Sequence, residues 1–375
     1  MRDANQVDGP RPACVWALAV WAVVLAGAGA ALVARGAVAG GWALVALGVV
    51  PAGLLVGAAA FVTHKAFGDM SSFLGDFATG EEDLQTLERA YRLGHRHFPP
   101  ERLDALMENF LRMTPETNAW LAEHERGFER VDIEAADGAR LVGHMARLHP
   151  DSHKWFIFCH GLGGGWKNGL RHARRFADKG YNLLLIEQRA QGASGGAVIG
   201  AGHLERRDAV LWCRYVAADD PLARIVLMGE SLGGATVLEA AGESDLAPQV
   251  ARIVSDSGYA DFWNASAALI SPVVAGHKVS LAHPLLDLVR IFFRAHRGGY
   301  DIADCRAVDA VARARVPILL IHGGHDNLID PVNARRLDAA CASEHELLVV
   351  EWGGHCSSAV ADPDLYYSRL FSFVE

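Results

Sequence analysis

From residue 129 to the carboxyl terminus, short apolar runs alternate with stretches suited to helices, and that alternation leaves few folds open. The runs are Trp155–Cys159, Tyr181–Glu187, Arg224–Met228, Ala251–Ser255, Val316–Ile321 and Glu346–Val350. Helices of about 10–15 residues fit between most of them, which implies parallel strands joined by crossovers. Ahead of them, FERVDIEAADGARLVGHMARL predicts an antiparallel hairpin with Asp137-Gly138 at its turn. The expected fold class is α/β, a mostly parallel doubly wound sheet. In such sheets ligands bind at the carboxyl ends of the strands. A residue that carries chemistry should therefore stand just after a strand.

That test separates two serines. With 39 glycines in 375 residues, the pattern G-x-S-x-G is expected by chance on the order of 0.3 times. The chain holds it twice, around Ser194 and around Ser231. Ser231 lies in ARIVLMGESLGGATV, between a β-rich run and a helical segment. A strand–serine–helix turn bends tightly and exposes the hydroxyl, and small neighbours such as Gly229, Gly233 and Gly234 let the backbone pass. The amino terminus of the helix also favours negative charge beside the hydroxyl oxygen. Ser194 is followed by GGAVIGAGH, which has no helical face, and reads as a serine in a surface loop.

A serine hydroxyl needs a base, and the base needs an orienting carboxylate. Asp326 in VPILLIHGGHDNLIDP and His355 in LLVVEWGGHCSS follow Ser231 in that order, each just past a strand. Asp256, in IVSDSGYAD, also follows a strand and is the rival acid, whereas Asp330 reads as a turn or cap before Pro331. Developing charge on a substrate oxygen needs two backbone N–H donors. Leu232, next to the serine, is expected to supply one, and Leu162 in the glycine-rich loop HGLGGG the other. That loop lacks the Lys-Ser/Thr ending of a P-loop, so a phosphate site is the weaker reading. His160, His322 and His325 do not form an H-x-x-x-H or H-E-x-x-H pair on a helix, so no metal is expected. The chemistry requires no cofactor.

Composition matters chiefly at the amino terminus. Residues 13–34 and 37–62 are two uncharged apolar runs separated by Arg35-Gly36, each exceeding the ~20 residues that cross a bilayer core. They are expected to form a transmembrane hairpin over 13–66, after a tail at 1–12. Arg2 and Arg11 before the first run and Lys65 after the second, against Arg35 at the turn, put both ends in the cytoplasm by the positive-inside rule. A cleaved secretory signal fits less well, because a second apolar run follows directly. A helical linker is expected over 67–128. Within it, Leu103, Leu106, Met107, Phe110 and Leu111 make one apolar face, and Thr114-Pro115 is expected to open a further helix. The net charge of −9, with no basic run, gives no nucleic-acid footprint. Six cysteines with no C-x-x-C pair fit free thiols better than a disulfide framework.

Taken together, FCHGLGG, IEQRAQGASGG, GESLGG, HGGHDNLIDP and GGHCSS resemble, in order, the motifs of the α/β-hydrolase superfamily over 129–375. IEQRAQGASGG resembles the superfamily's D-x-R-G-x-G-x-S-x-G loop, with Glu187 and Ala190 in place of Asp and Gly; Ser194 then belongs to a structural loop near the site. RGGYD, the GES elbow and the apolar amino terminus resemble membrane-tethered bacterial hydrolases of the serine-aminopeptidase-like or dienelactone-hydrolase-like group. The resemblance implies an α/β-hydrolase fold with a helical cap, here 258–312, where Leu285, Leu288, Val289, Phe292 and Phe293 form an apolar stripe. It implies a serine hydrolase acting on an ester or a related acyl bond; an apolar cap near a membrane would suit a small-molecule or lipid-like acyl substrate. An aminopeptidase is the alternative, and a catalytically silent membrane interaction protein the reading from another class.

Overall fold

In the computed structural model, residues 84–269, 273–274, 277–278, 283–295 and 299–375 are described. Among them, Phe262–Asp304 form one compact unit and the remainder another. The two apolar runs expected to cross a membrane, 13–34 and 37–62, lie outside the described residues. Among the described residues, no helix is long and apolar enough to do so.

The larger unit opens with helices α1 (Leu84–Gly94) and α2 (Pro100–His124). Pro100 sits in the first turn of α2, where its missing N–H costs nothing. The further helix expected from Thr114-Pro115 does not start afresh, because α2 runs straight through Pro115. An internal proline costs a helix roughly 3 kcal/mol, so tertiary packing has to offset it. Leu106, Met107 and Met113 are buried on that helix, and the Thr117 hydroxyl donates to the Met113 carbonyl at 2.8 Å.

Strands β1 (Glu129–Glu134) and β2 (Arg140–Ala146) form the hairpin, with Gly138 at φ 81° in its turn. Then come β3 (Lys154–Cys159), α3 (Leu170–Ala177), β4 (Asn182–Glu187), α4 (Glu205–Asp219), β5 (Arg224–Glu230), α5 (Leu232–Ala241) and β6 (Val250–Asp256). In the smaller unit lie α6 (Phe262–Leu269), the short pair β7 (Val273–Val274) and β8 (His277–Lys278), and α7 (His283–Phe293). On α7, Val289 and Phe293 are buried, Leu288 and Phe292 half-buried, and Ile291 exposed. The chain ends with α8 (Ala307–Val311), β9 (Ile318–Gly323), α9 (Val332–Ala340), β10 (His345–Val350), α10 (Ser358–Ala361) and α11 (Pro363–Val374).

Eight strands make one sheet in the order β1-β2-β4-β3-β5-β6-β9-β10. Only β2 runs against its neighbours. Residues alternate across the sheet, and both faces are covered, so its central strands are apolar throughout. Trp155, Ile157 and Cys159 pack with Trp212 of α4 and Leu238 of α5. Phe156 and Phe158 pack on the opposite side with Phe176 of α3 and Tyr366 of α11.

After β3 the chain adds β4 on one side, then returns to place β5 on the other. The strand order reverses there, which opens a crevice beyond the strand ends. Register aligns those ends: Cys159 pairs with Gly229, Gly229 with Ser255, and Gly323 with Val350. The loops after β3, β5, β6, β9 and β10 therefore leave the sheet along one edge.

Candidate active site

Ser231 follows β5 directly and caps α5, with φ 54° and ψ −114°. A side chain rarely holds that conformation without support. Two close approaches supply it here. A Cβ on Gly233 would stand 2.0 Å from the Cys159 carbonyl oxygen, and one on Gly229 2.2 Å from the Gly233 oxygen. The Ser231 N–H donates to the Asp256 carbonyl at 2.9 Å, which ties the turn to β6.

Ser231 Oγ lies 2.9 Å from His355 Nε2, and His355 Nδ1 lies 2.7 Å from Asp326 Oδ2. A carboxylate only accepts, so Nδ1 carries the proton and Nε2 is free to accept from the serine hydroxyl. Asp326 is buried, and its Oδ1 accepts the Leu328 and Ile329 N–H groups, both at 2.9 Å. His322 Nε2 donates to the Ile329 carbonyl at 2.8 Å and lies 3.3 Å from Asp326 Oδ2. Burial works to raise the Asp326 pKa, but His322 and His355 outweigh it and hold the carboxyl well below its ordinary value.

Asp256 does not reach His355. Its carboxyl accepts from Tyr366 Oη and Ser257 Oγ, each at 2.9 Å. Burial, reinforced by the nearby charge of Glu230, raises its pKa. Asp330 has the cap role expected of it, accepting the Val332 N–H at 2.9 Å.

The loop after β3 meets the serine closely: a Cβ on Gly161 would lie 3.3 Å from the Ser231 Cβ. Within it, Gly163 N–H donates to Gln191 Oε1 at 2.6 Å, Gly164 N–H to the Gly161 carbonyl at 3.1 Å, and Gly165 N–H to Asn168 Oδ1 at 2.7 Å. The Leu162 N–H is bonded to no group among the described residues. Leu232 is the first residue of α5, where an N–H has no partner within the helix. His160 braces this loop, donating from Nδ1 to the Gly161 carbonyl and accepting the Gln188 N–H at Nε2.

Ser194 bonds none of these groups. It is buried rather than exposed on a surface loop, because its Oγ accepts the Val142 N–H at 2.8 Å and donates to the Glu187 carbonyl at 2.6 Å. Glu187 bonds His144 Nε2 at 2.7 Å and accepts the Ala193 N–H; Ala190 takes up φ 56°. Glu187 is thus held by both β2 and the loop, and Ala190 adopts the left-handed conformation that a glycine takes more readily.

Further groups beside the serine have partners that no motif indicates. Glu230, just before the serine, is buried and accepts from Arg171 Nη2 at 3.1 Å and His172 Nε2 at 2.8 Å. Burial would raise its pKa, but Arg171 and His172 together hold it low. Spacing could not have found these partners, because they arrive from α3, 58 and 59 residues away in sequence.

The family described as serine aminopeptidase, S33, matches residues 150–293. The uncharacterized protein YqkD of Bacillus subtilis is 25% identical over 244 residues, 65% of this chain and 78% of that protein. The α/β hydrolase domain-containing protein WAV2 of Arabidopsis thaliana is 22% identical over 253 residues, 66% of this chain and 79% of its own. Among solved structures, the Pyrococcus furiosus esterase Pf2001 superposes with a TM-score of 0.51 at 20% identity, over 66% of this chain and 91% of the esterase. Strand order, elbow and the solved structure agree on the α/β-hydrolase fold, and residues 150–293 are similar to the serine aminopeptidase family.

Proposed function

We propose that this protein is a membrane-anchored serine hydrolase that cleaves carboxylic esters or related acyl bonds through an acyl-enzyme intermediate. The observation that carries the reading is the unbroken relay from Ser231 Oγ through His355 to Asp326 at 2.9 and 2.7 Å. As His355 Nε2 takes its proton, Ser231 attacks the carbonyl carbon, and the negative oxygen is received by the N–H groups of Leu162 and Leu232. The imidazolium formed is stabilised by Asp326 and returns the proton to the leaving group. Water then attacks the acyl-serine with His355 as base again, which regenerates the serine. No cofactor takes part.

Ester bonds are favoured over amino-terminal peptide bonds by the state of the nearby carboxylates. A peptidase of that kind needs a free carboxylate to hold the substrate ammonium. Glu230 is engaged by Arg171 and His172, and Asp256 by Tyr366 and Ser257. An apolar acyl group suits the exposed side chains of Leu162 and Leu328, which stand on the loops after β3 and β9. The runs 13–34 and 37–62 would hold the enzyme at a membrane with both chain ends in the cytoplasm.

Labelling with a fluorophosphonate probe tests the mechanism. Wild type and Ser194→Ala should label and Ser231→Ala should not; labelling that survives Ser231→Ala removes the reading. Turnover of p-nitrophenyl esters of increasing chain length, set against aminoacyl amides, decides between esterase and peptidase. Resistance of the full chain to carbonate extraction tests the anchor.

A further inference from the structure

The two helices ahead of the sheet carry none of the superfamily's motifs, yet the turn between them reaches the loops that hold Asp326 and His355. His95, buried in that turn, lies with Nδ1 2.8 Å from the Tyr91 carbonyl and Nε2 3.1 Å from Ser357 Oγ. A carbonyl only accepts, so Nδ1 carries the proton and Nε2 accepts the Ser357 hydroxyl. Ser357 Oγ in turn accepts the Gly354 N–H at 2.7 Å. One chain of hydrogen bonds thus runs from α1 to residues on both sides of His355. The imidazole also abuts the loop, since a Cβ on Gly354 would stand 2.6 Å from His95 Nε2.

His97 does the same for the acid loop. Its Nε2 donates to the His325 carbonyl at 3.1 Å, and its Nδ1 accepts Asn327 Nδ2 at 3.3 Å. Those residues flank Asp326. Phe98, buried beside them, lies edge-on to the rings of His325 and Trp352, which are themselves stacked at 4.1 Å, and Arg102 covers Trp352 at 5.0 Å. Phe98 also joins Leu106 of α2 and Val360 of α10 in a small apolar cluster.

We propose that His95 and His97 are positioning residues that lock the loops bearing His355 and Asp326 into the reactive geometry, so that the helical segment before the sheet is part of the catalytic apparatus. The inference rests on the serine-hydrolase reading. His95 is the stronger of the two, because its bond to Ser357 is buried whereas those of His97 are exposed to water and compete with it.

Isosteric substitution in the full-length protein tests it. Asparagine keeps a donor where Nδ1 stands and leaves Ser357 without an acceptor, whereas glutamine can place an acceptor near Nε2. His95→Asn should slow phosphonylation of Ser231 by a fluorophosphonate, with loss of fluoride, by about 10- to 100-fold, as misplacement of reacting groups does. It should lower kcat for p-nitrophenyl acetate more than it raises KM. His95→Gln should recover most of the rate, and His97→Ala should show a smaller loss of the same kind with an unchanged Tm. Wild-type labelling rates in both His95→Asn and His97→Ala would overturn the proposal. So would equal loss in His95→Asn and His95→Gln, because that would mark a purely structural imidazole. Wild-type labelling that persists in Ser231→Ala would instead sink the hydrolase reading on which the inference rests.

Discussion

The segments around Ser194 and Ser231 share a five-residue pattern, and each ties together elements far apart in sequence, yet their hydroxyls are used in opposite ways. Ser194 is satisfied on both sides: it accepts a backbone N–H from β2 and donates to the carbonyl of Glu187. A hydroxyl whose proton is already given to a carbonyl has none to give a base. Ser231 is held by its backbone instead, through the Asp256 carbonyl and the glycines that let β5 turn into α5. Its hydroxyl faces an imidazole nitrogen at 2.9 Å. Ser194 spends its hydroxyl on the fold, whereas Ser231 is fixed by its main chain and turns its hydroxyl toward His355.

The sharpest break of that comparison would be at Ser231. Ser231→Ala should lower kcat for a p-nitrophenyl ester by a factor of about 10⁵–10⁶, measured against the wild type with Tm unchanged. Next are the two acids. Asp326→Asn should lower kcat by about 10⁴, because the wrong His355 tautomer is then held. Asp256→Asn should lose far less, since its carboxyl faces Tyr366 and Ser257 rather than His355. Equal losses in a kcat series of these variants would return Asp256 to contention.

Ser194→Ala should act on the other axis. It leaves a buried N–H and a buried carbonyl short of a partner, a loss of about 1–3 kcal/mol by denaturant unfolding, while the labelling rate of the folded fraction stays near wild type.

The smallest effect is in the pH dependence of stability. The Asp326 pKa is depressed on folding, so its stabilisation is complete above the unfolded value near 3.8 and is lost as pH falls through the lower folded value. The Asp256 pKa is raised, so its ionisation in the unfolded chain costs stability as pH rises above about 3.8. Unfolding measured from pH 3 to pH 7 should therefore show Asp326→Asn falling further behind wild type as pH rises, and Asp256→Asn improving relative to it. Parallel curves would contradict the opposed environments.

Much of the site could be read in advance where chemistry imposes local rules. A nucleophile elbow needs small residues at fixed offsets, and a strand end needs an apolar run, so Ser231, Asp326 and His355 stand out. Thr114-Pro115 misled for the opposite reason: a proline signal is local, whereas the burial of Leu106, Met107 and Met113 that carries α2 through it is not. His95 and His97 gave no signal at all. Their partners lie 228 to 262 residues downstream, and nothing in RLGHRHF distinguishes a histidine that braces a loop from one on a helix surface.

The sequence by itself determined the alternation of strands and helices, the hairpin ahead of them, and the order serine, acid, histidine at strand ends. These follow from periodicity and from backbone constraints that act over a few residues. Only the tertiary structure decided which acid faces His355, that Ser194 is a buried tie between strands, and that the helices before the sheet brace the site. The first and last depend on the register that brings Cys159, Gly229, Ser255, Gly323 and Val350 to one edge, and the Ser194 tie on the pairing of Val142 with Glu187 across β2 and β4. Hydrogen bonds between such distant residues leave no spacing for a linear reading to find.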